Sequence, residues 1–146
     1  MATQLPTGES KILVLATLSG GYACADAVGQ LHTDYATNTY VLPVKCPALF
    51  PKEFYLRTLE KGIDGILVMY SGTDCPYKGG ADRTAKIVNE TYTLMKERGI
   101  NPRRLRLVAM CTVCTQAFLK EVKQMNSVLK EIGPVLQELA VPGNQA

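Results

Sequence analysis

Cys111 and Cys114 stand two residues apart in the stretch C-T-V-C. One turn of chain at that spacing aims both sulfurs at a single ion or cluster edge, and the same spacing serves dithiol redox chemistry. Cys46 and Cys75 each precede a proline, in segments that read as loops at strand ends. Four thiols are what a 2Fe–2S or 4Fe–4S cluster or a structural zinc takes from a protein. Cys24 lies in a helical stretch among alanines, where a thiol most simply acts as a small buried hydrophobe. It is the reserve ligand. Plain burial is the competing reading for the other four as well.

Other residues offer less chemistry. Gly20-Gly21 follows the first strand, but neither the G-x-G-x-x-G pattern nor the Walker lysine is present. Asp26 and Asp74 read as capping or turn residues. Tyr22 and Tyr77 would cover a cluster or simply pack. His32 is the sole histidine and reads as a loop residue without a partner, so no nucleophile–base–acid set emerges.

The elements that must position these groups follow from hydrophobic pattern. Apolar runs at 11–16, 66–69 and 105–110, and a partly alternating stretch with β-branched residues at 39–45, predict four strands. Pro43 has no N–H to donate, which places the second strand at an edge. Helices are predicted over 23–30, 51–61, 82–98 and 117–132. The third carries Ala85, Val88, Tyr92 and Met95 at three- and four-residue steps, and the last carries Phe118, Val122, Met125 and Leu129. Gly133-Pro134 breaks that helix, and 135–139 extends it by a turn or packs against a partner.

Strands alternating with helices four times predict an α/β fold: a flavodoxin-like open parallel sheet of four strands, order 2-1-3-4, with helices on both faces. In such a sheet, ligands bind outside the carboxyl ends of the strands. Cys46, Cys75 and the C-x-x-C all fall there. The second and fourth strands are about 14 Å apart, three strand spacings, so the loops must fold inward if Cys46 is to meet Cys111. A set of Cys24, Cys75, Cys111 and Cys114 is closer in the sheet.

Length and composition bound the class. A chain of 146 residues is one domain, read as a flexible tail over 1–10, an α/β domain over 11–134 and an extension over 135–146. Being 47% hydrophobic and 20% charged, it is globular and long enough for a real core. The net charge of +3 is weak. The basic run at 102–106 reads as a solvated strand entry, so nucleic acid is not expected. No membrane-length apolar run and no signal-peptide pattern is present, which predicts a cytoplasmic protein. In a reducing compartment, cysteines point to metal or redox chemistry before structural disulfides.

Several motifs in order carry a resemblance: G-Y-A-C-A-D after the first strand, the cysteine after the second, G-I-D-G-I-L-V, G-T-D-C-P-Y-K-G-G, and G-I-N-P-R-R-L-R-L. Together they resemble the delta subunit of the methyl-viologen-reducing hydrogenase over about residues 11–134. The resemblance implies a 2Fe–2S electron-transfer subunit, not catalytic alone. It would link an oxidoreductase to the flavin subunit, capable of electron bifurcation, of a heterodisulfide-reductase-type complex of anaerobic metabolism. The family's first C-x-x-C falls here on Thr17 and Gly20, and a further family cysteine falls on Tyr70. Cys46 and Cys75 match family cysteines, whereas Cys111 and Cys114 lie where the family usually has none. The expected ligands are therefore Cys46, Cys75, Cys111 and Cys114. The alternative is a clusterless docking subunit of the same kind of complex, and a structural zinc is a third reading.

Overall fold

The computed structural model describes residues 10–140. The expected tail over 1–10, but for Ser10, and residues 141–146 of the expected extension fall outside the described residues.

Four apolar runs form the strands: β1 Ile12–Thr17, β2 Thr39–Val44, β3 Gly65–Tyr70 and β4 Leu105–Ala109. All three pairings are parallel, in the order β2-β1-β3-β4. This is the predicted order. It leaves Pro43 on an edge strand, where its missing N–H costs no ladder bond. β3 is central and buried along nearly its whole length, which is why its sequence is a continuous apolar run.

The helices are α1 Gly21–Gln30, α2 Lys52–Glu60, α3 Gly80–Glu97, α4 Thr115–Ile132 and the short α5 Val135–Leu139. They divide between the two faces of the sheet. On one face, Cys24 and Val28 of α1 and Phe118, Val122, Met125 and Leu129 of α4 pack on Ile12, Val14, Leu67 and Met69. On the other, Tyr55, Leu56 and Leu59 of α2, Val88 and Met95 of α3 and Val135 of α5 pack on Leu15, Ile66, Val68 and Leu105. The stripe predicted on α4 is the one buried. Val135 is fully buried, so α5 belongs to the packed domain.

The buried face of α3 differs from the apolar pattern. It runs Gly80, Thr84, Val88, Thr91, Met95, while Ala85 and Tyr92 are half-buried. The two threonines can be buried because each hydroxyl donates to a carbonyl one turn back. Thr84 Oγ1 donates to Gly80 O at 2.8 Å, and Thr91 Oγ1 to Ile87 O at 2.7 Å.

The basic run 102–106 requires a correction at one residue: Arg103 and Arg106 are exposed, as a solvated strand entry predicts, but Arg104 is not. Arg104 is fully buried at the amino end of the sheet. Its guanidinium donates to Asp64 O at 3.1 Å and Gly133 O at 2.7 Å, and it pairs with Glu138 of α5. The Asp64 carboxylate in turn accepts from Lys11 N and Val135 N. Arg103 makes a two-pronged pair with Glu131, and Arg106 pairs with Glu121. A buried guanidinium demands such a complete set of acceptors. Here it ties α5 to the sheet.

Candidate functional site at the carboxyl rim

The turn after β1, the loops after β2 and β3, and the turn after β4 converge at the carboxyl end of the sheet. Gly20 makes the closest approach. A Cβ there would fall 2.6 Å from Met110 O, so only glycine lets the β1 turn sit against the end of β4. Beside it Ser71 Oγ lies 2.6 Å from Ser19 Oγ and 3.3 Å from Thr17 Oγ1. This hydroxyl cluster includes Thr17, a position where the resemblance places a cysteine in relatives.

Cys46 and Cys75 come together. A short 3-10 turn, Pro47–Leu49, follows Cys46 and another, Gly72–Asp74, precedes Cys75. Both turns bend inward to the start of α3. A Cβ added at Gly80 would meet Cys75 Sγ at 2.9 Å and Cys46 Sγ at 3.3 Å. The two sulfurs therefore share the space that the glycine leaves open. Cys46 is buried and Cys75 half-buried. Next to Cys46 lies Tyr55, whose buried hydroxyl has no hydrogen-bond partner among the described residues. Burial, and then the neighbouring Cys46, push its pKa up to about 12.

Cys75 also looks the other way. It shares the wall of a cavity of about 770 Å³ with Tyr70, Ser71, Met110, Cys111 and Cys114. Cys111 follows Met110 after β4 and is exposed, and Cys114 is the half-buried residue just before α4. The two are joined in a disulfide with a Cα–Cα distance of 5.4 Å. Cys24 lies beneath them in the core. Burial raises its pKa, and the backbone N–H of Cys114 facing its sulfur acts in the opposite sense.

Thus all four expected ligands lie at one rim, with Cys75 between the other groups. Cys46 reaches Cys75 but not the cavity, and Cys24 faces the apolar core. Among the described residues, no three His, Cys, Asp or Glu side chains form a group that could hold a metal ion. Donor type fits a sulfur-held group at Cys46 and Cys75, whose two sulfurs already fill the place beside Gly80. A four-thiolate set additionally requires the Cys111–Cys114 bond to be reduced.

The rim has a feature that sequence reasoning touched only at Tyr77. Each of its four loops exposes one large apolar side chain: Leu18 after β1, Leu49 after β2, Tyr77 after β3 and Val113 after β4. Leu49 and Val113 are 73% and 79% exposed. Apolar residues in loops carry no periodicity, so only the fold gathers them. Among the described residues, no helix is long and apolar enough to cross a membrane.

Comparison with known proteins places these observations. The family model of the methyl-viologen-reducing hydrogenase delta subunit matches residues 12–133. The A subunit of the ferredoxin/F(420)H(2)-dependent CoB-CoM heterodisulfide reductase of Methanosarcina acetivorans is 35% identical over 127 residues, which is 84% of this chain and 16% of that one. The A subunit of the ferredoxin:CoB-CoM heterodisulfide reductase of Methanosarcina mazei is 34% identical over 119 residues, 81% of this chain and 15% of that one. The chain therefore spans about one sixth of the length of these two relatives. The D iron-sulfur subunit of the F420-non-reducing hydrogenase of Archaeoglobus profundus is 28% identical over 128 residues, 86% of this chain and 93% of that one.

Proposed function

The chain belongs to the delta-subunit family of methyl-viologen-reducing hydrogenase, and we propose that it is an electron-transfer subunit. In this reading it carries electrons between an oxidoreductase and a heterodisulfide-reductase-like flavin subunit in one complex. The observation that carries the reading is the meeting of cysteines from three separate strand ends at one rim. The relatives support it by name, one as an iron-sulfur subunit of a hydrogenase and another as a subunit of a heterodisulfide reductase. In the latter, a segment like this chain is covalently continuous with the rest of the A subunit, which favours a subunit of that kind as a partner.

With the disulfide reduced, Cys46, Cys75, Cys111 and Cys114 would hold a 2Fe–2S cluster, which when bound supplies one-electron storage. The chain's own residues have distinct parts. Gly80 leaves room for two sulfurs. Tyr55 holds an unused O–H near Cys46, and hydrogen bonds toward ligand sulfur tune such groups. Leu18, Leu49, Tyr77 and Val113 offer an apolar rim that a partner subunit would cover, excluding water from the electron path.

The test is iron and acid-labile sulfide analysis of the native complex, purified without oxygen. About two of each per chain are expected, with a visible charge-transfer spectrum that is lost in Cys75→Ser. An active, assembled complex whose subunit is colourless and iron-free would overturn it.

A second reading is a docking subunit without a cluster. The Cys111–Cys114 disulfide favours it, because two of the expected ligands are spent on each other. On this reading, Cys111→Ser/Cys114→Ser leaves both assembly and electron flow intact.

A further inference from the structure

The Cys111–Cys114 bond is poorly placed to stabilise the fold. The two cysteines are three positions apart. Stabilisation by a cross-link grows with the length of chain it closes, so a loop this short restrains little of the unfolded chain. Nor does it anchor α4, which is held by Phe118, Val122, Met125 and Leu129 packed in the core. The bridge is instead accessible. Cys111 is exposed, and Val113 between the two sulfurs is among the most exposed apolar residues of the chain. It stands on the wall of a cavity that also holds the free thiol of Cys75. Accessible bridges that restrain little are the labile, chemically active class.

We propose that Cys111–Cys114 is a reversible two-electron dithiol/disulfide couple, which exchanges at this rim with a dithiol reductant and whose oxidised form withholds both sulfurs from ligation. The withholding rests on the electron-transfer reading, whereas the couple itself does not. A thiolate of the reductant attacks Cys111 Sγ, the more exposed sulfur. The Cys111–Cys114 bond breaks as the mixed disulfide forms, and the electron pair leaves on Cys114 Sγ. That sulfur sits just before α4, where the end of the helix favours negative charge. The reductant's second thiolate then attacks its own sulfur in the mixed disulfide and releases Cys111. The chain gains two electrons, the two thiol protons of the reductant end on Cys111 and Cys114, and the reductant leaves as its disulfide.

The test uses the full chain equilibrated in mixtures of reduced and oxidised dithiothreitol, then rapid alkylation and peptide mass spectrometry. Cys111 and Cys114 are expected to gain and lose label together as the mixture changes, while Cys24, buried in the core, stays unlabelled in the folded chain. With oxidised glutathione, Cys114→Ser should hold a mixed disulfide at Cys111. Cys111→Ser should hold far less, because Cys114 is half-buried. Independent labelling of the two residues, or a bridge that survives millimolar dithiothreitol in the folded chain, would overturn the couple. Iron and sulfide are counted on the same samples. Iron absent from both forms, with the couple still titrating, supports the couple and removes the cluster. Iron retained equally in both forms overturns the withholding.

Discussion

Replacing Arg104 by methionine tests whether the amino end of the sheet is held as described. Methionine keeps much of the buried stem and removes the guanidinium. Four contacts go with it: those to Asp64 O, to Gly133 O and to both oxygens of Glu138. Glu138 keeps the bond from Asn101 N at 2.9 Å, yet its charge, only 20% exposed, loses its buried counter-charge. Breaking a buried pair from one side costs about 3–5 kcal/mol. A domain of this kind is stable by about 5–15 kcal/mol, so the variant should fold but only narrowly. With a urea slope of about 1–3 kcal/mol/M, the unfolding midpoint should fall by roughly 1–5 M. Unfolding is followed by far-ultraviolet circular dichroism under reducing conditions, so that the Cys111–Cys114 bond does not vary. Arg104→Met/Glu138→Leu should recover part of the loss, because both substitutions act on one shared ion pair. A loss below about 1 kcal/mol, or a double variant equal to the sum of the singles, would refute the reasoning.

Two further outcomes concern the rim. Gly80→Ala puts a methyl against Cys75 and Cys46. Overpacking of about 1–3 kcal/mol, eased by up to about 1 kcal/mol of helix propensity, should leave a net loss in urea titration. The alkylation rate of Cys75 should also change, and no change in either quantity argues against the shared space. Tyr55→Phe tests the lone hydroxyl. The folded chain holds that proton up to about pH 12, while the unfolded chain releases it near its ordinary pKa of about 10. The contribution is therefore fully present below about pH 10 and lost as pH rises toward about 12. The phenylalanine variant has no such loss, and at neutral pH it should be at least as stable, since the O–H has no partner to lose among the described residues. Unfolding midpoints at about pH 8 and about pH 11 check both statements, and a parallel decline in the two proteins contradicts them.

What the sequence made legible, and what it hid, follow from the range of the interactions. Strands β1 and β3 show as apolar runs because both faces of the sheet are covered there, β4 shows as a run broken by the exposed Arg106, and Pro43 marks an edge by chemistry local to one residue. The helices α3 and α4 each begin two residues before the apolar pattern does, at Gly80 and Thr115, since their first turns carry no apolar periodicity. Thr84 and Thr91 read as polar, yet their hydroxyls are satisfied within the helix. Arg104 was hidden because its acceptors lie 29 to 40 residues away, and three arginines in five positions look like solvated surface. The rim was half legible. Strand ends placed the cysteines at one edge, but no pattern distinguishes two thiols that ligate from two that join.

The two ends of the sheet are built on opposite principles, and this bears on where a partner would dock. At the amino end a buried charge meets backbone carbonyls and the Glu138 carboxylate, and α5 covers it. At the carboxyl end the polar groups are a few hydroxyls and thiols, the backbones approach closely at Gly20, and Leu18, Leu49, Tyr77 and Val113 face outward. An isolated chain gains nothing from an exposed apolar side chain in each of the four loops that follow its strands. Their cost is removed only when another surface covers them. Because parallel strands send every loop after a strand to the same edge, the fold cannot separate the sulfurs from the surface that a partner would cover. Whatever a partner exchanges with this subunit would then pass over the same few residues that hold the thiols. A polar substitution such as Val113→Asp, with the disulfide and the fold unchanged, should accordingly weaken assembly and electron flow together.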